Sequence, residues 1–180
     1  FKETLARAVS LKPDTARIHP VLVFKDTPLA EAFREGRYRP LSLEEALQWC
    51  RLAWETLTPA GIRIIRFGLQ TTPQMSRGGA VLAGPVHPSF GSLVHSAVFY
   101  SAALKLLRDV PRHTRKLHFL VDKHDLSYFR GWRNKNIESI KKLYPDAEIV
   151  IDSVSDARPG RLSIATERGE SFSVDIPGII

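Results

Sequence analysis

The chain has 180 residues, 43% of them apolar and 25% charged, with 26 Lys+Arg against 19 Asp+Glu for a formal net charge of +7; this is a globular composition, enough for one domain or two small ones with a real core. No apolar run approaches the roughly 18 residues that span a bilayer and no signal peptide opens the chain, so a cytoplasmic address and no membrane partner are expected. The single cysteine, Cys50, excludes an internal disulfide and cannot by itself hold zinc or an iron–sulfur cluster.

In chain order, residues 1–11 read as an amphipathic helix already under way, stopped by Lys12-Pro13-Asp14, so the chain is expected to be a piece of a longer protein. Residues 15–24 (TARIHPVLVF) read as a strand running into an extended segment, because Pro20 biases His19 away from helical geometry. A strand after a helix suggests the last β/α units of a parallel architecture. Thr27 is placed to cap a helix over 29–35 that Gly36 ends. Ser42 and Glu45 form a capping box opening a helix over 43–57, whose periodicity puts Cys50 in the core and turns Trp49 and Trp54 toward the core or a missing neighbour. Residues 62–69 (IRIIRFGL) read as a buried strand interrupted by Arg63 and Arg66. Residues 73–91, with Gly78, Gly79, Gly84, Gly91, Pro73, Pro85 and Pro88, read as a lid or binding loop.

The second half carries a different pattern. Residues 117–121 (LHFLV) read as a strand, and 125–129 as a short helix capped by Asp125 or Asp122. A tight Gly131-Trp132-Arg133-Asn134 turn then opens a second helix. Ile137, Ile140, Leu143 and Tyr144 give that helix one apolar face, and Pro145-Asp146 stops it. Residues 147–152, 161–166 and 171–176 alternate as strands, the last two joined by a hairpin over 167–170. The turn leaves backbone N–H groups at a helix start, where the peptide dipoles favour a phosphate. Between Arg108 and Lys142 there are ten Lys/Arg and four acids, a net of +6 that attracts a polyanion by counterion release. Trp132 in the polar loop is placed to stack on an unpaired base, whereas Phe129 reads as core.

This order resembles the core of a KH domain, whose hallmark is a GxxG loop between two helices; Asn134 stands at the second glycine, and asparagine tolerates the left-handed backbone. The resemblance implies a single-stranded nucleic-acid grip by Arg130, Gly131, Trp132, Arg133, Asn134, Lys135 and Lys141.

Residues 15–69, with KDTPL, GRYRPLS and IRIIR, together with Gln70-Thr71-Thr72-Pro73 and the segment GPVHPSFGSLV, resemble the region after the barrel in radical SAM proteins of the Elongator catalytic-subunit type. That resemblance implies a complete protein with a [4Fe–4S] cluster and S-adenosylmethionine. Cys50 has no partner cysteines, and a cluster needs thiolates, so no cofactor and no catalytic residue are expected in this piece, which should be inactive alone. The residues it could lend to the substrate side of a site are Arg17, His19, Arg66 and Gln70. Lys25, Thr27, Pro28, Gly36, Arg37, Tyr38 and Arg39 match the family's connector and read as a packed elbow. His87, His95, His113, His118 and His124 lack metal-ligand spacing, so no metal site is expected, and no phosphate loop or nucleophile elbow occurs.

The expectation is an α+β fold: terminal β/α elements of a radical SAM barrel with its C-terminal extension over 1–110, then a KH-like βααβββ module over 111–180. The expected function is the substrate-binding portion of a radical SAM oxidoreductase that binds RNA, with tRNA the favoured class, for a modification reaction catalysed with an upstream barrel. The competing expectation is a docking domain of an iron–sulfur oxidoreductase whose basic patch is merely solvated.

Overall fold

The computed structural model describes residues 1–69, 79–154 and 158–179. The fold is mixed α+β, with small sheets and no closed barrel among the described residues, and none of its helices there is long and apolar enough to cross a membrane. The chain divides into two compact units, Phe1–Val94 and His95–Ile180.

The first unit opens with α1 (Lys2–Leu11), closed by Lys12 in the left-handed region at φ 48°. Next comes β1 (Thr15–Ile18). The expected strand over 15–24 is split, because Pro20 has no N–H to offer a ladder; β2 (Val23–Phe24) instead pairs antiparallel with β4 (Val81–Ala83). The expected featureless loop over 73–91 therefore contains a strand, its part over 73–78 lying outside the described residues. Thr27 caps α2 (Pro28–Arg34), its hydroxyl accepting from the Ala30 N–H at 3.2 Å. Ser42 and Glu45 form the capping box of α3 (Leu43–Leu57).

α1 and α3 cover one face of β1 and its parallel partner β3 (Arg63–Phe67). Leu5, Ala53, Leu57 and Ile62 form that core, with Ile18, Ile64 and Leu52 packed around it. Ala16 pairs with Ile64 and Arg17 with Arg66, so Ile65 is an extra residue in β3. This bulge breaks the alternation. Phe67 turns inward to stack on Trp54 with ring centroids 5.9 Å apart, while Ile65 is 45% exposed. The strand expected to be buried thus has one open face. Trp54 is core, but Trp49 lies at the surface with the Phe1 ring edge-on at 5.4 Å.

The second unit contains most of α4 (Phe90–Leu106), which begins within the first. Its sheet has the order β6-β5-β7-β8: β5 (Lys116–Asp122) lies parallel to β6 (Glu148–Val154) and antiparallel to β7 (Arg161–Thr166), and β8 (Ser171–Asp175) flanks β7. The crossover from β5 to β6 comprises α5 (Leu126–Arg130), a 3₁₀ turn (Trp132–Asn134) and α6 (Lys135–Leu143). Strict alternation makes the sheet two-sided. Leu117, Phe119, Val121, Leu162 and Ile164 are fully buried on one face, while His118, Leu120, Ser163 and Ala165 lie on the other. The helices cover the apolar face: the Phe129 ring lies 4.9 Å from Phe119, and Ile140 and Tyr144 are fully buried. The Tyr144 hydroxyl, buried with them, hydrogen-bonds to the carbonyls of Leu107 and Val110 at 3.0 and 2.8 Å. The hairpin over 167–170 closes through the Thr166 N–H to the Glu170 carbonyl at 3.0 Å.

Candidate nucleic-acid interface

The break between α5 and α6 is built from below. Gly131 sits at φ 75° and ψ 167°, a region essentially restricted to glycine. An added Cβ would also lie 2.8 Å from Cγ of Asn136. Asn136 is buried, and its Nδ2 faces the carbonyls of Tyr128, Phe129 and Ser96 and the Ser96 hydroxyl at 3.0 to 3.2 Å. It thereby satisfies carbonyls that the end of α5 leaves without helical partners. Sequence reasoning missed Asn136. Its one signal was a polar residue four positions before Ile140, on the buried stripe of α6.

Above this clamp the chain makes two successive left-handed residues, Arg133 at φ 53° and Asn134 at φ 60°. Asparagine accepts this readily, whereas for arginine it is strain of about 1–3 kcal/mol. Asn134 is the N-cap of α6 without a side-chain capping bond, and Glu138 is the one acid in the first turn, where it partly offsets the positive end of the helix dipole. Trp132 is 56% exposed, and the Arg133 guanidinium lies 4.4 Å from its ring centroid, a cation–π contact that covers one ring face. Arg130, Arg133 and Lys135 are exposed and have no ion-pair partner among the described residues. Lys141 does not join them: from the last turn of α6 its ammonium donates to the Ala147 carbonyl, tying the helix to β6.

Part of the basic stretch is structural. The Arg112 guanidinium lies over the Tyr144 ring at 5.0 Å and donates to the Leu143 carbonyl at 3.2 Å, and Lys116 pairs with Glu148 at 3.8 Å. Neither Asp122 nor Asp125 caps α5 as expected. Asp122 accepts from the His124 N–H at 2.8 Å, and the buried Asp125 carboxylate reaches the Gly160 N–H at 2.7 Å. Desolvation raises the Asp125 pKa above the usual carboxylate value, partly offset by that hydrogen bond. On the open sheet face His118 Nε2 meets Asp152 at 2.8 Å.

In the first unit Arg17, His19 and Arg66 are all exposed, and the ladder sets Arg17 beside Arg66. Gln70 lies outside the described residues. The connector forms the elbow its residues suggest. Arg37 pairs with Glu35 through Nε at 2.6 Å, and Arg39 grips both oxygens of Glu45 at 2.6 and 3.2 Å. The Arg39 hydrogen bond, followed by the Ser42 N–H, lowers the Glu45 pKa to about 2.

An iron–sulfur cluster does not fit this donor set. Cys50 is 1% exposed inside α3, desolvation pushes its thiol up to about 12, and it is the one cysteine of the chain, whereas a cluster is held by several thiolates. Among the described residues no group of three or more His, Cys, Asp or Glu could hold a metal ion. Residues 13–99 match the family model described as Radical_SAM C-terminal domain. No curated protein and no solved structure matches the chain.

Proposed function

We propose, from the premise that residues 13–99 are a Radical_SAM C-terminal domain, that the chain is the C-terminal, substrate-binding portion of a radical SAM enzyme of the Elongator-like type, at work in the cytoplasm. In this reading the second unit is a KH-like module that binds RNA, with tRNA as the favoured class. The radical chemistry belongs to an upstream barrel with its iron–sulfur cluster and S-adenosylmethionine, since the donors in this chain do not fit a cluster. What the chain contributes is binding and orientation.

The observation that carries the reading is the loop over 131–135. Its exposed cations, Arg133 and Lys135, stand at a helix start that no side chain caps, and Trp132 projects beside them. Asn136 and Gly131 hold the break from the core side, so the loop meets a ligand already shaped, which limits the entropy lost on binding. Phosphates satisfy the exposed cations Arg130, Arg133 and Lys135. An unpaired base stacks on the face of Trp132 away from Arg133.

The test is tRNA binding across a salt series with the double reversal Arg133→Glu/Lys135→Glu. Both residues are exposed, so folding should hold. Affinity should fall, and the slope of log affinity against log salt should shrink by about one unit per lost contact. Trp132→Ala should weaken binding to single strands by about 1–3 kcal/mol. Unchanged affinity and slope in the double reversal would leave the docking-domain reading in place of this one.

A further inference from the structure

We infer that the open face of the β1–β3 pair is a second anion site, one that takes a phosphate group between Arg17 and Arg66. Both arginines are next to last in their strands, and the strands run parallel. Parallel α/β sheets bind their ligands beyond the carboxyl ends of the strands. The bulge at Ile65 matters here. In an unbroken ladder Arg17 would face Ile65 and Arg66 would point to the core side; the extra residue makes Arg17 and Arg66 direct neighbours on the exposed face, about 5 Å apart by the strand spacing.

Like charges opposite one another on a sheet oppose its stability. Burial of Phe67 against Trp54 explains the bulge but leaves the two guanidiniums uncompensated. Neither has a hydrogen bond or ion pair among the described residues. Thr15 and His19 alternate with Arg17 on the same exposed side, and Arg63 stands opposite Thr15, so these neighbours supply hydroxyl, imidazole and a third guanidinium, with Asp14 the acid at the start of the strand, its carbonyl accepting from the Arg63 N–H. Two adjacent guanidinium forks carry a charge of two and paired planar donors, which match a phosphate dianion or a pyrophosphate better than a single carboxylate. The phosphate could belong to an RNA backbone or end a small molecule; the recognition chemistry is shared.

The 180-residue chain is titrated with inorganic pyrophosphate while the arginine Nε–H signals are followed by NMR. Arg17 and Arg66 should shift together, and Arg17→Gln/Arg66→Gln should weaken binding by at least about tenfold, the loss of charge-assisted hydrogen bonds. Arg17→Lys/Arg66→Lys, which keeps the charge and loses the fork, should recover only part of it. Arg133→Glu/Lys135→Glu should leave the pyrophosphate-induced shifts of the Arg17 and Arg66 signals intact, whatever phosphate the loop itself loses, so that failure of the RNA loop and failure of this site are told apart. Two further ligands name the source: an oligoribonucleotide without terminal phosphates shifting the pair indicates a phosphodiester, and adenosine monophosphate doing so indicates a terminal phosphate. If Arg17 and Arg66 respond to none of the three ligands, or the glutamine pair binds pyrophosphate as the parent does, the inference is overturned.

Discussion

Each unit contains one pair of parallel strands, and the two pairs are finished differently. β5 and β6 keep an unbroken register from Lys116 opposite Glu148 to Asp122 opposite Val154. β5 has strands on both sides, an apolar face sealed by helices and a second, half-buried face of mixed character that carries His118, Leu120, Ser163 and Ala165. β1 and β3 form a two-stranded ribbon with a bulge after two pairings. Such a ribbon is marginal alone and here depends on the α1–α3 core beneath it. Its other face exposes Arg17, Ile65 and Arg66, although parallel strands are usually covered on both faces. The second unit spends its apolar residues on its own sheet, whereas the first leaves a surface suited to a ligand or neighbour.

Truncations should separate the pairs most strongly. Phe129→Ala empties a fully buried site against Phe119 and should destabilise the second unit by about 3–5 kcal/mol. Ile65→Ala, at a site 45% exposed, should change the first by about 0.5 kcal/mol or less. Urea titrations followed by residue-resolved hydrogen exchange would measure both, and equal effects would break the comparison.

Gly131→Ala comes next. The backbone region costs alanine about 1–3 kcal/mol, and the displaced Asn136 amide loses buried hydrogen bonds worth a comparable amount. Protection of the α5 and α6 amides should drop while that of α3 stays; loss in both units would show the clamp is not local.

Acid should act on Glu45 and Asp125 with opposite sign. Glu45 has its pKa lowered to about 2, so its contribution to α3 is present above the ordinary value of 4.5 and is lost as the pH falls through about 2. Asp125 has a raised pKa, so its contribution is complete below 3.8 and is lost as the pH rises through the raised value. Asp125→Asn keeps an oxygen for the Gly160 N–H and removes the desolvated charge, and should abolish that loss with rising pH in the second unit alone, leaving the opposite trend of Glu167, whose pKa the Arg115 N–H lowers. Amide exchange between pH 2 and 7 reads both trends.

The smallest effect is chemical. Cys50, with its thiol near 12, should react with a disulfide reagent only as fast as the first unit opens, so its labelling rate should ignore Phe129→Ala. Labelling accelerated by that variant would show that the units unfold together.

Local order was written in the residues themselves. The capping box of Ser42 and Glu45, the Thr27 cap, the stop at Lys12 and the alternation over 117–121 and 161–166 depend on neighbours within a few positions, where dihedral preference and period decide the outcome. The stripe of Ile137, Ile140 and Tyr144 and the exposure of Trp132 follow from the same short-range rules. Partners distant in sequence were settled by the fold. Pairing of Phe24 with Val81, the bulge that sets Arg66 beside Arg17, and the reach of Asn136 to Ser96 join residues far apart along the chain, and no periodicity encodes which of them meet. Asp125 looked like a cap because an acid before a helix usually is one, yet its carboxylate serves Gly160. Lys141 looked like a phosphate ligand, yet it holds Ala147. Side-chain chemistry set what each of these groups could bind, and packing chose the partner, because a buried donor or acceptor goes wherever its hydrogen bond can be completed.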